Sequence, residues 1–203
     1  SIWSMQDRHP ATRRSSQRQA TRRQLVAAAL RVVAEHGFAG ATTAAIAKAS
    51  GKAHGTVFVH FRSREALVDE VVREIGDAMS RRLAQAQSAV PSVEEVLDAH
   101  LAALEEHEVL YARLLGEATS LPSAARARVF ALQSGIAYRL RRAYERELAQ
   151  GGARAIDRTL LANTWIALTN HYLMHRDLFS PGASVVAARR AELKAYLIDL
   201  IRT

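Results

Sequence analysis

Helix stops fall close together near the front of this chain and then become sparse, and that spacing limits the fold more than any other feature. From residue 18 the apolar positions Leu25, Ala29, Val32 and Val33 keep the spacing of one buried helical face. Gly37 stands where a glycine can take a left-handed C-cap without strain. Thr42 or Thr43 then offers an N-cap for a short helix over residues 43–49, which Ser50-Gly51 stops. A third helix is expected over residues 53–59, and Ser63 is placed to cap the one after it. Three helices this short must share one small core.

Beyond residue 65 the helices lengthen. A nearly unbroken pattern covers residues 65–89 and is closed by Pro91, which cannot continue a helical hydrogen-bond ladder. Ser92 caps a helix to about residue 107, and a further helical stretch reaches Thr119 before Leu121-Pro122. Residues 123–150 carry Phe130, Gln133, Ile136, Ala137, Leu140 and Tyr144 on one stripe, ended by Gly151-Gly152. Helices over residues 153–179 and 184–202 finish the chain, with Ser180-Pro181-Gly182 between them. Only 10 Gly and 4 Pro stand among 203 residues, so the expected fold is all-α.

Composition removes several classes. Apolar residues at 49% and charged residues at 24% describe a globular chain, not a disordered one. No apolar run approaches the roughly 18 to 20 residues that span a bilayer, and no apolar stretch follows the N-terminal charges. No membrane partner is expected, and the expected location is cytoplasmic. The absence of cysteine excludes disulfides, thiolate metal sites and cysteine nucleophiles.

The net charge of +8 is unevenly placed. Residues 1–65 hold 11 Lys and Arg against 3 Asp and Glu, whereas residues 66–203 hold 17 of each. A basic module for a polyanion therefore precedes a neutral module with another task. Residues 1–17 read as a flexible basic arm, residues 18–65 as the first domain and residues 66–203 as the second. Arg13, Arg14, Arg18, Arg22 and Arg23 lie in the arm and the first helix, where phosphate or minor-groove contacts are expected for some of them.

Two short helices about Ser50-Gly51 fit the helix-turn-helix, whose second helix enters the DNA major groove. The run from Gly37-Phe38 through Thr42-Thr43, Ile46-Ala47, Gly51, Gly55-Thr56-Val57-Phe58-Val59-His60-Phe61 to Arg64-Glu65-Ala66-Leu67 resembles the DNA-binding domain of the TetR family of bacterial transcriptional repressors. The resemblance extends over residues 18–72. It implies base or phosphate contacts from Thr43, Ala44, His54, Gly55, Thr56, Phe58 and His60, with Lys48 and Arg64 near the DNA backbone. Ile46, Val57 and Phe61 recur on the inward face and read as core. Thr56 can offer a phosphate its hydroxyl or its N–H. The family commonly has Ser-Lys-Gly before the Thr and two tyrosines after it. Here stand Ala53-His54-Gly55 and Phe58-Val59, which exchange phenol hydroxyls for apolar surface suited to thymine methyl groups.

The same resemblance implies that the second domain holds a small-molecule effector and forms a homodimer on a two-fold double-stranded DNA operator. Helical spacing puts His100 among Val93, Leu97, Leu101 and Leu104, and gathers Leu161, Trp165, Leu168 and Tyr172 with Thr164 and Thr169. Candidate ligand residues are His100, Leu104, Tyr111, Gln133, Ile136, Trp165, Thr169 and Tyr172. Leu193, Tyr196, Leu197 and Leu200 form a stripe read as a dimer face, packed as a four-helix bundle with the 153–179 helix. His171 and His175 have the i, i+4 spacing of two imidazole ligands, but polar surface or interface histidines are the better reading, so no metal is expected. Glu105-Glu106-His107-Glu108 reads as the polar end of a helix, and no phosphate-cradling loop, nucleophile elbow or His-Glu-x-x-His pattern is present. No cofactor and no enzymatic activity are expected. The leading expectation is a repressor released by its effector; a constitutive DNA-binding protein, an all-α enzyme and an interaction protein are the alternatives.

Overall fold

The computed structural model describes residues 10–85 and 88–202; nothing is stated of the side chains of residues 10–13. All regular structure among the described residues is helical. The chain divides into two compact units between Leu67 and Val68.

The first unit is built on α1 (Pro10–Gly40), α2 (Thr43–Ser50), α3 (His54–His60) and the start of α4 (Arg64–Gln85). Leu25, Ala29 and Val33 of α1 are fully buried, as are Ile46 of α2 and Val57 of α3, with Phe38 and Phe61 nearly so. Gly37 has the expected left-handed φ of 71°, but its ψ of 178° is extended, so the chain kinks there and adds a further turn before α2. Thr42 caps α2 by accepting the Ala45 N–H at 3.1 Å, and Gly51 closes it in the left-handed region. The helix expected from residue 18 begins at Pro10 instead, so residues 10–17 are helix and not a flexible arm. Proline suits the first helical position, and alanine, arginine and glutamine behind it are good helix formers; the charge run had masked that signal. The expectation for residues 1–9, Arg8 included, lies outside the described residues.

Three arginines hold this unit together at helix ends. Arg31 donates to the Ala49 carbonyl at the end of α2 (3.0 Å), Arg22 to the His60 carbonyl at the end of α3 (2.9 Å), and Arg64 to the Phe38 carbonyl in the last turn of α1 (2.6 Å). Arg22 also lies over the Phe61 ring, 4.3 Å from its centroid. Each guanidinium donates to a carbonyl near a helix C-terminus, where it meets the negative end of a helix dipole; the Phe38 carbonyl also accepts the Ala41 N–H at 3.2 Å.

The second unit holds the rest of α4 with α5 (Val93–Glu106), α6 (Glu108–Gly116), α7 (Ser123–Ala149), α8 (Arg158–Met174), α9 (Arg176–Phe179) and α10 (Val185–Ile201). α5 packs against α7 and α10, and α8 against α6, α7 and α10. Ser92 and Glu95 form a capping box at the start of α5. α4 ends at Gln85 and not near residue 89. The expected 153–179 helix is instead α8 and α9, broken at His175. Asp157 starts α8 late because its Oδ1 accepts the N–H groups of Thr159 and Leu160. The Tyr144 hydroxyl also fixes the preceding segment, accepting the Ile156 N–H at 2.8 Å. In α7 the inward stripe keeps Ile136, Leu140 and Tyr144 but takes Val129 in place of Phe130, which is exposed.

Glu108, expected at a polar helix end, is instead 5% exposed. It accepts the Ser184 hydroxyl and the N–H groups of Val185 and Val186 at the start of α10, placing a carboxylate at the positive end of that helix. Arg64→Ala should lower the stability of the first unit by about 1–2 kcal/mol, the worth of a hydrogen bond to a charged group, read as a lower urea midpoint.

Candidate nucleic-acid interface

One face of α3 is committed to the core through Val57 and, just past its end, Phe61. The other face carries His54, Gly55, Phe58 and Val59, and Phe58 and Val59 are 49% and 66% exposed. Thr43, at the start of α2, lies beside them, its Oγ1 2.9 Å from His54 Nε2. The His54 ring meets the Phe58 ring edge-on, with centroids 5.1 Å apart. The turn at Gly51 thus brings Thr43, His54, Gly55 and Phe58 together, and exposed Ala44 adjoins Thr43 in the chain.

Gly55 is not required by the fold. Its φ is not positive, and a methyl group there would meet no atom within 4 Å. A glycine in a helix is destabilising by roughly 0.5–1 kcal/mol relative to alanine, and the backbone at Gly55 is left bare on the exposed face of α3.

The phosphate candidates divide. Lys48, Arg14, Arg18 and Arg23 are exposed, whereas the Arg13 side chain lies outside the described part. Arg22 and Arg64 each donate one N–H to a carbonyl within the unit, and the guanidinium of Arg64 carries further N–H donors beside the one given to Phe38. The Thr56 N–H donates to the Ala53 carbonyl at 2.9 Å, leaving its hydroxyl for a phosphate. Burial, with Arg18 and Arg22 nearby, holds His60 below the usual imidazole pKa, so it is neutral at pH 7 and can donate one N–H.

Residues 25–71 match the family of bacterial regulatory proteins, tetR family. The first unit is a TetR-family domain. A regulator named BetI 1 from Chromohalobacter salexigens is 40% identical over 68 residues, which cover 32% of this chain and 34% of that one. The repressor AcnR of Corynebacterium diphtheriae is 33% identical over 93 residues, 46% of each chain. The chain thus spans under half the length of these curated relatives. Among solved structures, a transcriptional regulator from Saccharomonospora viridis in complex with choline aligns with a TM-score of 0.76 at 19% identity, covering 91% of this chain and 99% of that one. A TetR-family regulator from Agrobacterium tumefaciens aligns with a TM-score of 0.75 at 18% identity, covering 92% of this chain and all of that one. At these identities the structures establish a shared fold.

The residues nominated for a ligand are mostly satisfied within the second unit. His100 and Trp165 are buried, with Trp165 Nε1 donating to His100 Nδ1 at 2.9 Å. Thr169 donates to carbonyls of its own helix, and Tyr111 is hydrogen-bonded to Gln133. Leu104 and Ile136 are core, and Tyr172 is half-buried beside Phe179. A groove of about 250 Å³ lies elsewhere, between α4 and α7, lined by Val72, Arg73, Gly76, Asp77, Ser80 and Arg128 among others. None of the nominated residues lines it. Arg128 reaches Asp69 across 59 positions of sequence, which helical spacing could not reveal, and Arg73 with Asp77 reads in sequence as an ordinary surface pair.

Of the stripe read as a dimer face, Leu193 and Leu197 are buried inside the chain; their helix α10 packs on α5 and α8. Tyr196 is exposed and Leu200 half-buried. The stripe was wide enough to serve the core first. Exposed apolar side chains on α8 and α9 are Leu160, Met174 and Leu178. The His171 and His175 rings meet edge-on with centroids 4.8 Å apart, and His171 also meets Phe179. Among the described residues no three His, Cys, Asp or Glu side chains gather as a metal site.

Burial pushes His100 down to a pKa of about 3, against about 6.5 in the unfolded chain. The folded state therefore binds fewer protons below pH 6.5, and the stabilising contribution is complete above that pH and is lost as pH falls toward 3. Between pH 6.5 and 5 the second unit should lose about 1–2 kcal/mol through this group. Urea melts of His100→Gln across that range should show a flatter pH dependence.

Proposed function

We propose that the chain is a homodimeric transcriptional regulator that grips a palindromic double-stranded DNA operator with the α2–α3 surface and releases it when a small molecule binds the second unit. Gly55 carries the first half of this reading: a helix start stripped of its Cβ, beside exposed Phe58 and the Thr43–His54 pair, on a unit that also presents Lys48, Arg14 and Arg18. A recognition helix needs a close backbone approach, a few groups for base edges and a basic surround for phosphates. Thr56 and His60 serve the flanking phosphates.

Dimerisation is assigned to the exposed face of α8 and α9, with Leu160, Met174 and Leu178, joined by Tyr196 and Leu200 of α10. A two-fold operator requires a two-fold protein. The effector is proposed by likeness to relatives of the same fold, whose described complexes hold choline and stearoyl-CoA. His100, Leu104, Tyr111, Gln133, Ile136, Trp165, Thr169 and Tyr172 would surround it once the core around the His100–Trp165 bond opens. A soluble location fits this role, and no described helix is long and apolar enough to cross a membrane.

Footprinting on genomic fragments tests the reading: protection of one short palindrome supports it, while uniform coverage or no protection refutes it. Gly55→Ala should act in opposite directions, raising the stability of the first unit by about 0.5 kcal/mol while weakening operator binding. Arg14→Gln combined with Arg18→Gln should flatten the log–log salt dependence of DNA binding by about 0.9 for each phosphate contact removed.

A further inference from the structure

We propose that His54 and Phe58 form one reading unit for a guanine beside a thymine, with His54 donating from Nδ1 to the guanine N7 and O6 and Phe58 covering the thymine C5-methyl. The inference rests on the DNA-binding reading above and states which bases that surface selects.

His54 is exposed, yet its ring is held on two sides. Thr43 Oγ1 occupies Nε2 at 2.9 Å, and the edge-on contact with Phe58 fixes the ring plane. Nδ1 remains as the polar atom for an outside partner. When the Thr43 hydroxyl donates to Nε2, the neutral ring carries its proton on Nδ1 and faces the groove as a donor. Every purine presents an N7 acceptor in the major groove, but guanine adds a second acceptor at O6 where adenine has a donating amino group. A single N–H in this position therefore favours guanine.

Phe58 has no hydrogen-bonding group, and 49% of it is exposed although the fold could have turned a polar residue outward at no loss of core. In the major groove the apolar feature that distinguishes a base is the thymine methyl. His54 and Phe58 are four residues apart on one helical face, and their rings are 5.1 Å apart. Stacked base pairs are separated by about 3.4 Å along the duplex, so the two side chains reach neighbouring pairs. Gly55, Thr56 and Val57 put no charged group between them, and α3 contains neither lysine nor arginine, so the usual bidentate guanine reader is absent from this helix. Gly55 lets the backbone settle close enough for these two short-reaching side chains to touch the bases.

The test uses the full chain and a pool of duplexes with randomised centres. Selection with the wild type should enrich a two-fold sequence containing a guanine next to a thymine in each half. His54→Ala should erase the preference at the guanine, about tenfold at that position, while the rest of the sequence is still selected. Replacing the thymine by deoxyuridine, which removes only the methyl group, should weaken wild-type binding about fourfold and leave Phe58→Ala unaffected. Thr43→Val should relax the guanine preference while keeping the response to deoxyuridine, since it frees the ring without removing it. Thermal melts of all three variants should stay close to the wild type, because His54 and Phe58 are exposed and Thr43 is only half-buried. An enriched sequence without the guanine–thymine step, an unchanged preference in His54→Ala, or indifference of the wild type to deoxyuridine overturns the proposal. Enrichment of no sequence at all overturns the DNA-binding reading and this inference with it.

Discussion

The first unit depends on guanidinium groups bound to carbonyls at helix ends. α2 and α3 have 8 and 7 residues, far short of the about 12–15 that an isolated helix needs to persist in water. Their inward faces contribute few apolar side chains, chiefly Ile46, Ala47 and Val57. Arg31 at the end of α2, Arg22 at the end of α3 and Arg64 at the last turn of α1 supply what propensity and burial leave short. Each ties two elements at once, since the arginine and the carbonyl come from different helices. The outward face of α3 is thereby free to be chosen for another purpose.

The second unit uses buried polar groups in the same connective way. Glu108 anchors the start of α10 to α6, Trp165 and His100 join α8 to α5, and Tyr144 pins the segment before α8 to α7. Each is satisfied by a partner far away in sequence, which is the condition under which a buried polar group stabilises its surroundings. These bonds also confine the packing: an apolar core of Leu, Ala and Val tolerates sliding, whereas a carboxylate set on two particular N–H groups does not.

The helices and their caps were legible because their signals are local. Ser92 caps its helix where the spacing placed it, Thr42 is the one of the two expected threonines that caps α2, and the exposed face with His54, Gly55 and Phe58 follows from one short motif. What escaped was whatever depended on distant partners. The bond from Arg64 to the Phe38 carbonyl spans 26 positions and has no local signature, and Glu108 reads in sequence as one more acidic residue in an acidic run. Leu193 and Leu197 belonged to a real stripe, but a stripe does not say whether its partner is the same chain or another copy. Asp157 delayed α8 through a cap that the unbroken helical composition around it concealed.

The bond between Thr43 and His54 makes the first residue of α2 a determinant of what the first residue of α3 can do. Under the proposed DNA reading their effects on recognition are not separable, and substitutions at the two positions should be strongly epistatic. A descendant of this protein that acquires a new target is constrained in the order of its changes: altering residue 54 alone leaves a hydroxyl with no ring to hold, and altering residue 43 alone leaves a ring without its hydrogen-bond partner. New specificity is reached most readily when both residues change together, so the helix-turn-helix evolves here as a linked pair of sites across the turn.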